Sequence, residues 1–357
     1  MPSHIKAILE AAIRAPSGEN VQPWHFTVQG NTIDVHVPLE KGASLYGWGE
    51  RASYVAVGAA IENIRIAAAQ SGWSAQVDLL PDLHTRHAAH ITLAEGSDGY
   101  GAGLFPYIAE RVTNRKPYDG KPLTQDDMDA LRAAASDMAC GSVRFIESRE
   151  SIKRAAKVGA GNERIMLGNP LLHAFFFSHV NWTKAEDDAR TTGFYIDTLE
   201  LPAPARIGFK VMSKWSRAQL LNKILGFNRV AAAGNARAYE SASAMGIVVA
   251  PQESERSALE TGMLVERLWL TATARGLALQ PLTGILYFML RLRAGETEGF
   301  SEDDRQLIAE YESTIRDIFK LTADETPYFM FRVGHAPPVS ARSSRYAIER
   351  VSTHTSL

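Results

Sequence analysis

Residues 58–77, GAAIENIRIAAAQSGWSAQV, and residues 262–281, GMLVERLWLTATARGLALQP, align without a gap. Gly58/Gly262, Glu62/Glu266, Ala68/Ala272, Gly72/Gly276 and Gln76/Gln280 are identical pairs. Ala60, Ile61, Ile64, Ala67 and Ala68 fall at helical spacing in the first copy, as do Leu264, Val265, Leu268 and Ala272 in the second, and this predicts two buried helices. Gly72 and Gly276 stand where a helix C-terminus needs a residue that tolerates positive φ. Strand-like stretches flank both copies: 32–37 and 87–93 around the first, 244–250 and 328–333 around the second. Chance identity between two amphipathic helices explains the helical part alone; the matching flanks argue for a strand, helix, strand unit used twice.

Working outward, 357 residues correspond to about two domains of typical size. Gly96, Gly99, Gly101 and Gly103 make a flexible stretch, so the division is expected near residue 100, giving units 1–100 and 101–357. The segment from about 170 to 235 has no counterpart in the first half and reads as an insertion, rich in aromatic residues and interspersed with cations. Its stretch 214–225 has helical spacing, read either as a helix packed on the body or as a mobile lid or membrane-surface helix.

Hydrophobic residues make up 45% of the chain, enough for packed cores, and 38 Lys and Arg against 40 Asp and Glu leave a formal charge of −2. No global field therefore favours nucleic acid or an anionic membrane. The single cysteine, Cys140, forms no internal disulfide and no multi-thiolate metal site, and is read as inert. The N-terminal stretch carries Glu10 and Arg14 among its apolar residues, and the run 171–177 is far short of the about 20 residues of a membrane-crossing helix. A cytoplasmic protein is expected.

Residues 15–24, APSGENVQPW, follow a short helical pattern. By composition Ser17 caps a turn, Asn20 closes an Asx turn and Trp24 enters the core, with no ligand involved. Their order, however, resembles the nitroreductase family of FMN proteins, in which a Pro-Ser-x-x-Asn-x-Gln-Pro-Trp segment lies near the flavin. On that resemblance Pro16, Ser17, Asn20 and Gln22 are cofactor-binding residues. Arg111-Val112-Thr113-Asn114-Arg115 is similar to the family's Arg-x-Ser/Thr-x-Arg, which holds the FMN phosphate. Two guanidinium forks and a hydroxyl suit a phosphate dianion, whereas Arg111 and Arg115 taken alone also fit one solvated helix face. Pro281, Leu282, Thr283 and Gly284 resemble the family's turn beside the isoalloxazine ring, where a backbone N–H at the place of Thr283 contacts flavin N5. Arg342 and Arg345, after 333–335, resemble its C-terminal basic residue that returns to the phosphate; Arg345 is the first choice.

The first half supplies the Pro-Ser segment and lacks the arginine motif, while the second half has the reverse. The resemblance therefore implies an α+β, nitroreductase-like fold of two tandem pseudo-symmetric domains, a single-chain pseudo-dimer like the family's fused (Acg-like) branch. One FMN per chain is expected, with Trp73 near the vacated mirror site. The function implied is electron transfer through FMN from a reductant such as NAD(P)H to a small organic acceptor. Two alternatives stand beside it: FMN storage or sequestration without turnover, with Trp182 and the insertion's phenylalanines filling the substrate face, and a dehydrogenase or oxidase of a biosynthetic intermediate. No metal is called for, no catalytic acid or base is assigned, and His25 reads as structural. Further association of the pseudo-dimer is left open.

Overall fold

The computed structural model describes residues 1–38, 50–82, 84–136 and 141–355, so Cys140 lies outside the described residues. Both repeat copies form 20-residue helices, Arg51–Gln70 and Glu255–Ala274, which pack against each other at the centre of the molecule. The identical pair Gly58 and Gly262 marks the crossing. A Cβ on Gly58 would lie 1.9 Å from the Leu259 carbonyl oxygen, and one on Gly262 would lie 1.9 Å from that of Val55. The helices approach so closely because neither carries a side chain there. Gly72 (φ 84°) and Gly276 (φ 68°) follow the two helix ends in the left-handed region, as their placement predicted.

Each helix is served by its own sheet. The first has the order Ser352–His354, His25–Gln29, Thr32–His36, His87–Glu95, Trp73–Asp82. The second, antiparallel throughout, has the order Ser142–Ile146, Ala244–Ala250, Thr326–Gly334, Ala278–Pro281. The predicted strands at 32–37, 87–93, 244–250 and 328–333 are all present. In the first sheet Ile33, Val35, Ala89 and Ile91 turn inward, joining Ile61 and Ile64 of the first central helix in one buried apolar cluster. The second sheet has both faces covered, which is why Ala244–Ala250 and Thr326–Gly334 are buried along their whole length.

The chain's last strand belongs to the other half. After Thr326–Gly334 the chain leaves the second sheet, runs back past the first half, and Ser352–His354 pairs parallel with His25–Gln29 (Phe26 beside Ser352, Val28 beside His354). A covalent strap thus joins the two halves.

Within the insertion, Trp215–Leu225 is the helix expected at 214–225, and it packs on the body by one face. Ala218 is buried and Trp215 meets His173 edge-on at 5.2 Å, whereas Leu220, Ile224 and Leu225 remain exposed. No helix among the described residues is long and apolar enough to cross a membrane.

Candidate functional site

The strap passes over a pocket whose empty space, counted out to its mouth, is about 780 Å³, and Arg14, Arg111, Arg115, Arg342 and Arg345 all line it. They arrive from three segments: Arg14 after the first helix, Arg111 and Arg115 from one stretch, and Arg342 and Arg345 from the strap. Helix Phe105–Glu110 ends because Arg111 takes extended dihedrals (φ −53°, ψ 129°), so 111–115 runs as irregular chain, not as the helix face that the four-residue spacing allows. Thr113 instead makes a parallel bridge to Leu279, and the Asn114 N–H donates to the Leu279 carbonyl at 3.1 Å, seating the motif along strand Ala278–Pro281.

Arg111 is buried. Its Nε lies 3.2 Å from Glu266 Oε1, its Nη2 donates to the Arg14 carbonyl at 2.6 Å, and its guanidinium lies 4.6 Å from the Trp269 ring centre. Burial pushes Glu266 up to about 7, against the pull of Arg111 and then of Asn63. Arg115 Nη1 donates to the Thr198 carbonyl at 3.0 Å, with Phe194 close by. Arg342 caps the end of helix Phe105–Glu110, donating to the carbonyls of Ala109 (2.8 Å) and Glu110. Arg345 donates to Asn20 Oδ1. Burial, then repulsion from Arg111 and Arg14, lowers Arg345 to about 9.

Pro16, Ser17 and Asn20 form the opposite lip. The left-handed backbone at Asn20 (φ 54°) and Gln22 (φ 51°) is held by side chains: Ser17 Oγ accepts the Gln22 N–H at 3.0 Å, and Asn20 Nδ2 donates to the Ser344 carbonyl at 2.9 Å. Gln22 is fully buried, donating to the Thr191 carbonyl at 2.7 Å and accepting the Tyr346 N–H at 2.9 Å. Asn20 and Gln22 therefore tie the Pro-Ser segment to the strap, while Pro16, Ser17 and Asn20 face the pocket.

Pro281, Leu282, Thr283 and Gly284 do not line this pocket. The Leu282 N–H donates to the Met330 carbonyl at 2.7 Å, and a Cβ on Gly284 would lie 2.4 Å from Asn162 Oδ1. Thr283 is the N-cap residue of helix Gly284–Arg293, whose first N–H groups have no acceptor within the helix. The structure thus brings Pro16, Ser17, Asn20, Arg111, Thr113, Arg115, Arg342 and Arg345 together at one pocket, while the Pro281–Gly284 turn continues from strand Ala278–Pro281, which Thr113 meets at Leu279. Arg14 escaped the sequence reading; its only signal was a cation two residues ahead of Pro16. From the insertion, Phe194 and Thr198 reach the pocket, whereas Phe176, Phe177, Trp182 and Phe209 pack on one another.

The carboxylate related to Glu266 by the repeat has different partners. Glu62 accepts from Arg267 Nε at 2.7 Å and from the Tyr100 hydroxyl at 2.9 Å, and Arg65 and Arg267 lie 3.5 and 4.2 Å from the Tyr100 ring centre. Its charges are closed on themselves. Trp73 stacks on His4 at 4.4 Å.

Within the Pro-Ser segment, burial pushes Glu19 up to about 7 from 4.5; the Tyr287 hydroxyl is raised by its own burial, then by Tyr328 and Glu19. The folded state holds a proton that the unfolded chain releases, so Glu19 lowers stability as pH rises from 4.5 to about 7. Urea midpoints measured across that window should fall less steeply in Glu19→Gln than in the unaltered protein. Equal slopes would mean that Glu19 ionises freely.

No family model matches the chain. Among curated proteins it is 28% identical over 346 residues to the uncharacterized protein MT1398 of Mycobacterium tuberculosis, covering 95% of this chain and 46% of that protein. It is also 28% identical over 134 residues to a candidate NAD(P)H nitroreductase of that organism, MT3217, covering 37% of this chain and 39% of the relative. The chain is similar to nitroreductases. It spans less than half the length of these curated relatives. Among solved structures, a nitroreductase with bound FMN from Bacteroides fragilis aligns over 69% of this chain and 94% of its own, at 12% identity and a TM-score of 0.35. The NADPH:FMN oxidoreductase of Vibrio harveyi, complexed with NAD+, aligns over 67% and 72%, at 11% identity and a TM-score of 0.34.

Proposed function

We propose that this chain is an FMN-binding oxidoreductase of nitroreductase type, with one flavin per chain held between two halves that divide near residue 100. The observation that carries the reading is the arginine pocket: five guanidinium groups converge, and burial and mutual repulsion hold one of them at about 9. A phosphate dianion fits that donor set, because forked N–H groups and fixed positive charge neutralise and orient it. Arg115, Arg342 and Arg345 would hold the phosphate with Thr113 and Ser17, and Arg111, already paired with Glu266, would add charge from behind. The ring end is assigned to Pro281, Leu282, Thr283 and Gly284 at the head of helix Gly284–Arg293, where unbonded N–H groups favour an electron-rich partner.

Bound FMN would supply hydride and electron transfer between a donor such as NAD(P)H and a small organic acceptor. The protein's residues bind, orient and shield. Asn20 and Gln22 lock the lip to the strap, so the phosphate end is preformed and requires no closure. Phe194 and Thr198 cover one side of the pocket and keep water from the phosphate. A second reading, FMN retention without turnover, rests on the insertion's share in the lining, Phe194 and Thr198.

The purified protein should be yellow, or should take up FMN in a single equivalent with a visible flavin spectrum. Mixing the FMN complex with NADH or NADPH in a stopped-flow instrument should bleach the flavin band. Uptake without bleaching by either donor selects retention, and failure to take up FMN at all ends both readings.

A further inference from the structure

On the first sheet, a row of titratable side chains points away from the central helices. Thr32–His36 alternates, with Ile33 and Val35 inward and Asp34 and His36 outward. His87 and His90 are three residues apart on the next strand and would ordinarily face opposite sides. A bulge reconciles them: the register runs from Val35 beside Ala89 to His36 beside His87, and both Ala88 and Ala89 are buried. Both imidazoles therefore turn outward beside Asp34.

The three side chains converge on one point. Asp34 Oδ1 lies 2.8 Å from His87 Nε2 and 2.7 Å from His90 Nδ1, and all three atoms lie within 4.8 Å of one another. The His90 contact is an aligned hydrogen bond, but the buried His87 Nε2 has no aligned hydrogen-bond partner despite its short distance. His36 stacks on His87 at 4.6 Å and backs the group. The side chains are between 17% and 40% exposed, although His87 Nε2 itself is covered, so seating an ion requires the His87 ring to turn.

We propose that Asp34, His87 and His90 form a binding site for a first-row divalent transition-metal ion of the zinc class, separate from the arginine pocket. Two imidazoles and one carboxylate are a donor set that such ions favour over Mg²⁺ or Ca²⁺, which take oxygen ligands. Ligand atoms around one tetrahedral zinc lie roughly 3.3 Å apart, so binding requires only a small opening of side-chain torsions. Water completes the shell. Because Asp34 and the two histidines come from neighbouring strands, the ion would clamp the middle of the first sheet.

The test uses chelator-stripped, tag-free, full-length protein and Zn²⁺ alone, titrated in competition with a chromophoric chelator. One equivalent should bind, and Co²⁺ in its place should give the visible absorption of a site with nitrogen and oxygen ligands. Asp34→Asn and His90→Gln should each weaken Zn²⁺ binding at least about tenfold, while His335→Ala leaves it unchanged. Zn²⁺ should raise the thermal midpoint of the unaltered protein and not that of either variant. The two variants are read independently, so one that fails to fold leaves the other decisive. No stoichiometric Zn²⁺ in the unaltered protein, or binding that survives substitution of a proposed ligand, overturns the site.

Discussion

Gly262→Ala should lower folding stability by on the order of 3 kcal/mol, although it adds a single methyl group and places the best helix former within a helix. The intrinsic gain from replacing glycine is about 1 kcal/mol. The steric loss is larger because of what the methyl meets: it would lie 1.9 Å from the Val55 carbonyl oxygen and 2.9 Å from the Ala59 nitrogen. These are backbone atoms within a helix and cannot rotate aside. The only relief is separation of the two central helices, which loosens buried neighbours along the whole crossing. Gly58→Ala should act alike through the Leu259 carbonyl. The double variant should cost less than the sum, since one separation serves both methyls. Urea unfolding reads all three, and an unchanged midpoint in either single variant would show that the helices do not touch at this crossing.

Arg345→Ala should weaken FMN binding by roughly 10- to 150-fold, the loss expected for a charge-assisted hydrogen bond of about 1.5 to 3 kcal/mol. Arg345 and Arg115 are better probes than Arg111. Arg111 is the buried partner of Glu266, so Arg111→Ala strands a carboxylate and should cost about 3 to 5 kcal/mol of stability whatever the ligand. Arg345 and Arg115 have their direct hydrogen bonds to an amide and a backbone carbonyl, so their loss breaks no direct ion pair among the described residues. Fluorescence titration with FMN and with riboflavin separates phosphate recognition from ring recognition: the loss should be large for FMN and small for riboflavin. An Arg115→Ala/Arg345→Ala double variant that keeps full FMN affinity would falsify the phosphate assignment.

The central helices and their flanking strands were legible because periodic burial and a terminal glycine are local signals. What the repeated glycine does was not, since an identity between two positions does not say that their backbones touch. Arg111 and Arg115 could be picked out as a pair, but their spacing fitted a helix face, and the break at Arg111 depends on the strand that takes up Thr113. Arg14 and Glu19 carried no pattern at all. The strap strand Ser352–His354 is three residues long, too short for alternation to register. The outward turn of His87 depends on a bulge, which reverses the face that simple alternation assigns. The motif at Pro281–Gly284 was visible as a turn, yet its seating rests on packing against Asn162 and Met330, residues remote in sequence.

The strap also bears on how the two halves are able to differ. In a symmetric pair of separate chains every substitution is felt twice, once on each side of the axis, so a change that suits one site is imposed on the other. Here Asn63 and Arg267 occupy equivalent positions beside Glu266 and Glu62, and exchanging their roles across a true twofold would be impossible. With both copies on one polypeptide, either carboxylate can be given its own counter-charge, and one side is free to become solid interior while the other stays open to a ligand.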